Sequence, residues 1–147
     1  MNGDVSRPPS SAGRARDAAG RPVPLGSPGA VEPVPEQALP PVEALALARS
    51  LLAQGRPFFA HDVLEAVWKA APPVERGLWR GLAQACVGLT HLQRGNAVGA
   101  ARLLRRAAGT LAAAQPAHGV DVAAVVAQVL AAAELVDGGT VPPPLAL

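Results

Sequence analysis

Leu52-Ala53-Gln54-Gly55 and, 40 residues further on, Leu92-Gln93-Arg94-Gly95 decide how the chain reads. In each a leucine closes a helical run, a glycine stops it, and a new run starts almost at once. The same offset of 40 pairs Ala60 with Ala100 and Val63-Leu64 with Leu103-Leu104. Both copies therefore describe a helix, a tight glycine turn and a second helix folded back on the first. Hairpin arrays of the tetratricopeptide kind place residues similarly at a period of about 34. Two copies are too few for a solenoid. The expected fold is all-α: two stacked helical hairpins plus a C-terminal helix, about five helices in all.

Working outward, the other boundaries follow from local chemistry. Pro41 suits a first helical turn, so helix one is expected over 42–54, with Leu45, Leu51 and Leu52 on its apolar side and Gly55 as its stop. Helix two starts at Pro57 and ends near Ala70, before Pro72-Pro73. Helix three runs from Pro73 to Arg94. Asn96 is placed to cap helix four, which continues to about Ala114, and Asp121 to cap helix five, which ends near Val136 before Gly138-Gly139. No stretch alternates with period two, so strands are not expected.

The ends differ from this middle. Of 16 prolines, eight fall in residues 1–40 and three close the chain at Pro142, Pro143 and Pro144. Residues 1–40 lack hydrophobic periodicity and read as a disordered Pro/Gly-rich tail, 41–136 as the helical domain, and 137–147 as a flexible C-terminal tail. The net charge is only +2. Arg94, Arg102, Arg105 and Arg106 cluster, but no long basic stripe or reader motif accompanies them, which argues against nucleic acid. Their plain reading is a wet helix face. The single Cys86 lies in an apolar run and excludes intramolecular disulfides and multi-cysteine zinc sites. The first residues lack a signal-peptide pattern, and Asp121, Gln128 and Glu134 interrupt the best candidate for a membrane span. The expected setting is the cytoplasm.

The polar residues that carry chemistry concentrate in helices two and three. Phe58, His61, Glu65 and Trp68 recur at spacings of three, four and three, so they share one stripe. Helix three carries a stripe of Gly77, Gly81, Gln84, Gly88 and His91. Glycines inside a helix cost roughly 1 kcal/mol each and imply close backbone approach. If helices two and three are antiparallel neighbours, His61 lies near His91, Glu65 near Gly88, and Trp68 over Gly81 and Gln84. The resulting cluster is His61, Glu65, Gln84 and His91, with Asp62 at its edge.

Three readings stay open for that cluster. Buried polar groups on facing helices can form a hydrogen-bond clamp. His61, Glu65 and His91 are also an adequate ligand set for a divalent transition metal such as zinc, with Glu65 and Gln84 as catalytic candidates in hydrolysis. The third reading is a groove for a protein partner or small molecule, contacted by Trp68, Trp79 and Asn96. The two tryptophans also read as core anchors. His118, in the Gln115–Gly119 loop, reads as a solvated histidine.

The run from Phe58 to Lys69, then Trp79-Arg80-Gly81-Leu82-Ala83-Gln84, then His91 to Asn96 with Gly99-Ala100, resembles the family known as domain of unknown function 309. The resemblance covers about residues 45–107. It implies a small all-helical protein, sometimes labelled a predicted metal-dependent hydrolase. The matching positions are His61, Glu65, Trp68, Gly81, Gln84, His91, Gly95 and Asn96. The chain departs from the pattern at Phe59 and Ala66, where acids are expected, and at Asp62, where Glu is usual. The departures at Phe59 and Ala66 remove carboxylates from any site that needs several acidic ligands.

Overall fold

The computed structural model describes residues 15–24, 26–35 and 37–147. Among them five helices follow one another: α1 (Pro41–Ala53), α2 (Pro57–Ala70), α3 (Pro73–Gln93), α4 (Ala97–Ala112) and α5 (Val122–Asp137). Their ends lie within two residues of the expected ones. Prolines occupy the first turns of α1, α2 and α3, where a missing N–H costs nothing. Asn96 Oδ1 accepts from the Gly99 N–H at 2.9 Å, and Asp121 Oδ1 from the Ala124 N–H at 3.1 Å, capping α4 and α5.

The 40-residue repeat is visible in the hydrogen bonds. At the first turn Gly55 N–H donates to Leu52 O and Arg56 N–H to Leu51 O; at the second, Gly95 N–H donates to Leu92 O and Asn96 N–H to His91 O. These paired bonds satisfy the last carbonyls of each helix and need a left-handed residue between them. Glycine supplies it at φ +70° and +85°.

Each helix packs on its neighbours in sequence, α1 on α2, α2 on α3, α3 on α4 and α4 on α5. Leu45, Leu64, Leu78, Trp79, Leu82, Leu104, Leu111, Val125 and Val129 fill the seam and are fully buried. The glycine stripe of α3 serves α4 rather than α2. A Cβ added at Gly81 would stand 2.6 Å from Leu111 Cγ, and one at Gly88 3.0 Å from Leu104 Cγ. The stripe is therefore a channel that admits the leucines of α4, and the expected placement of Trp68 over Gly81 gives way to this packing.

Two features depart from the sequence reading at the ends. Residues 1–14, part of the segment read as disordered, lie outside the described residues. Within 15–31, however, three short strands form an antiparallel sheet in the order β2-β1-β3: β1 (Ala15–Asp17), β2 (Pro22–Val23) and β3 (Ala30–Val31). Strands of two or three residues carry no period-two signal, so the expectation of no strands fails here. Local turn bonds and docking hold them instead. Asp17 Oδ1 accepts from the Ala19 and Arg21 N–H groups at 3.0 and 2.8 Å, while Gly20, at φ +79°, packs on Phe58.

Residues 142–147, part of the 137–147 segment expected as a flexible tail, lie back against the helices. Leu145 is buried, Gln128 exchanges two hydrogen bonds of 2.9 Å with the Ala146 backbone, and Arg49 Nε donates to Leu147 O at 2.7 Å. The segment thus links α5 to α1. Burial of Leu145 offsets part of the chain entropy that the prolines also reduce.

Candidate functional site

On α2 the stripe is wired along its own helix. His61 Nε2 stands 2.8 Å from Glu65 Oε2, and Lys69 Nζ donates to Glu65 Oε1 at 3.0 Å, each one helical turn apart. The Lys69 hydrogen bond holds the Glu65 carboxyl below its usual value; burial opposes this and the charge of His61 assists it. On the other side of the imidazole, Nδ1 is 3.4 Å from Asp62 Oδ1, shut off from solvent and without a hydrogen bond. His61, Asp62 and Glu65 present ligand atoms within 4.8 Å of one another.

The other predicted members lie elsewhere. His91 does not join that group; the Asn96 Nδ2 amide donates to its Nδ1 at 2.9 Å, which makes Nδ1 the acceptor and puts the ring hydrogen on Nε2. Asn96 therefore ties α3 to α4 and caps α4 at once. Gln84 follows the glycine stripe to α4, where Thr110 Oγ1 donates to its Oε1 at 2.8 Å. Instead of one four-residue cluster there are three separate pairs, because the register of α3 on α4 rather than on α2 governs where Gln84 points.

Phe58 heads the α2 stripe and lies 6.0 Å from the His61 ring. The N-terminal sheet roofs it. The guanidinium carbons of Arg16 and Arg94 sit 5.0 and 5.4 Å from the Phe58 ring centre, and Arg94 Nε donates to Ala19 O at 3.1 Å. Trp79 is a core residue, fully buried, with its ring 5.8 Å from that of His118. His118 is not simply solvated: its Nε2 pairs with Glu75 at the start of α3. Of the arginine cluster, Arg105 is engaged by Asp137.

Trp68 has a different setting. At the C-terminal end of the α2 stripe it borders an open groove of about 510 Å³, shared with Lys69, Arg76, Gly77, Arg80 and Thr110. Among the described residues no carboxylate lines it. The sequence signal was available: Arg76 and Arg80 are one turn apart on α3, just across the Pro72-Pro73 turn from Trp68-Lys69.

The chain has a matching family over this region. Residues 45–103 match the family model of a domain of unknown function (DUF309). No curated protein and no solved structure matches the chain. The DUF309 match holds α2 and α3 whole, with most of α1 and the first half of α4. It includes His61, Glu65, Gln84, His91 and Asn96 as well as the groove residues Trp68, Lys69, Arg76 and Arg80; Thr110 lies beyond it. No helix among the described residues is long and apolar enough to cross a membrane.

Proposed function

We propose that this chain is a ligand-binding helical module whose binding place is the groove beside Trp68. The carrying observation is the groove itself: an indole and three cations from two helices converge on one open concavity that no acid among the described residues lines. The polar stripe on α2, by contrast, is occupied internally, since both oxygens of Glu65 already have partners. In this reading His61 and Glu65 steady α2, and binding falls to the groove. The dye 8-anilinonaphthalene-1-sulfonate, a flat apolar anion, tests it. Saturable one-site fluorescence enhancement is expected, weakened about tenfold or more in Trp68→Ala with the helical circular dichroism intact. Enhancement that neither saturates nor responds to Trp68→Ala and Arg80→Ala rules the groove out.

One observation favours a second reading, a metal-dependent hydrolase. The donor set of His61, Asp62 and Glu65 is chemically suited to a divalent ion such as zinc, with Lys69 on one Glu65 oxygen and His61 Nε2 on the other. A bound ion would supply Lewis acidity there. Gln84, committed to Thr110, does not reach that set as a positioning group in this arrangement. Stoichiometric zinc in protein purified without an affinity tag, lost in His61→Ala, is the outcome this reading requires.

A further inference from the structure

We infer that the groove takes a small phosphate monoester bearing a flat ring, of the nucleoside monophosphate class, with the phosphate toward Arg76 and Arg80 and the ring on Trp68; this rests on the binding-module reading above. Arg76 and Arg80 stand at i and i+4 on α3, so their side chains leave the same face, and Lys69 approaches from α2. Their donors are available. Arg80 makes no hydrogen bond or ion pair among the described residues, and Arg76 commits only Nε, to Ala71 O at 3.2 Å. Lys69 gives Glu65 one of its three protons.

Charge and shape then select the ligand. A lone carboxylate brings one charge and two oxygens to three cations. A phosphate monoester brings about −1.5 to −2 near neutral pH and three acceptor oxygens, which match two guanidinium forks and an ammonium. Beyond the cations and the Thr110 hydroxyl, Trp68 is partly buried and offers ring surface, while Gly77 has no side chain to obstruct it. The Thr110 hydroxyl lies 2.8 Å from Gln84 Oε1 and 3.1 Å from Arg106 O, so its single proton is spent within the fold and toward a ligand its oxygen acts as an acceptor. That selects a ligand with a donor of its own, such as a sugar hydroxyl or a ring amine. A groove of about 510 Å³ is of the size that holds a small molecule.

Isothermal titration of the full chain with adenosine 5′-monophosphate, ribose 5-phosphate, inorganic phosphate and adenosine tests this directly. The monophosphate should bind tightest, ribose 5-phosphate more weakly, inorganic phosphate weaker still, and adenosine not measurably. Arg80→Gln should weaken the monophosphate about tenfold or more, and Trp68→Ala should lower it toward ribose 5-phosphate. Dye binding without any phosphate binding overturns the ligand class and leaves the module reading standing; failure of both removes both. Monophosphate binding indifferent to Arg80→Gln and Trp68→Ala overturns the site.

Discussion

Replacing Gly81 by alanine sets a helix-propensity gain against a packing loss, and the structure supplies both sides. The new Cβ would stand 2.6 and 2.7 Å from Leu111 Cγ and Cδ2 and 3.3 Å from the Leu111 backbone nitrogen. Leu111 is fully buried, so its side chain has no solvent to swing into. Overpacking of this kind costs about 1–3 kcal/mol, whereas glycine to alanine in a helix returns about 1 kcal/mol. Gly109, exposed on α4, is the control: nothing lies within 4 Å of its added Cβ, so Gly109→Ala collects the gain alone. The propensity part is common to both, and the difference of about 1–3 kcal/mol between the variants isolates the packing of α3 against α4. Each kcal/mol moves the melting temperature of a domain this size by roughly 4–8 °C. Urea unfolding followed by far-ultraviolet circular dichroism measures it. In a Leu111→Ala background, itself destabilised by about 2–5 kcal/mol, Gly81→Ala should turn neutral or stabilising. A Gly81→Ala variant as stable as Gly109→Ala refutes the close approach of α4 to the glycine stripe.

Four further outcomes follow from single contacts. Glu65 has its carboxyl lowered in the fold, chiefly by Lys69, so its contribution is present above the unfolded value near 4.5 and lost as pH falls through the folded one. Glu65→Gln should therefore destabilise near pH 7 and change little in acid once the carboxyl is protonated in the folded state as well, and equal losses under both conditions would contradict the pairing. Burial pushes the Cys86 thiol up to about 12, so a disulfide reagent near pH 8 should leave it unmodified until denaturant opens the domain; prompt labelling of the native chain tells against its burial. A Cβ at Gly20 would fall 2.1 Å from the Phe58 ring at φ +79°, so Gly20→Ala should release the N-terminal sheet, read as faster tryptic cutting after Arg16 with helical dichroism unchanged. Asn96→Ala should cost about 1 kcal/mol from lost capping, and a cost below about 0.3 kcal/mol in urea unfolding speaks against the clasp on α4.

The helices were legible because their ends are chemical events within a few residues: Pro41, Pro57 and Pro73 open them, Gly55 and Gly95 close them, and Asn96 and Asp121 cap them. The His61–Glu65 pair was legible for a similar reason, as one helical turn fixes it whatever the tertiary fold. Gly81 and Gly88 announce that something approaches α3 closely, but a missing side chain carries no address. The approaching helix is α4, and Gln84, on the same stripe, goes with it. His91 was misplaced for the same reason, since its partner Asn96 lies five residues on rather than across the bundle on α2. The N-terminal sheet escaped because its strands are shorter than any periodic signal and depend on Phe58 for a docking surface.

The distribution of partners separates what holds this protein together from what it presents. Asp62, His61, Glu65 and Lys69 form one chain of contacts along α2, and that chain ends at the groove. Lys69 is the shared member: it lowers the Glu65 carboxyl and also lines the concavity beside Trp68. On the proposed reading an anion seated there would share the Lys69 ammonium with Glu65, so its binding and the protonation of Glu65 would be linked. The positions that match the family over α2 are thus joined through Lys69 to a groove of which the sequence reading had singled out only Trp68 as a contact. On the proposed reading, His61→Ala or Glu65→Gln should alter anion binding at the groove indirectly through Lys69, whereas Arg80→Gln should weaken the ligand directly.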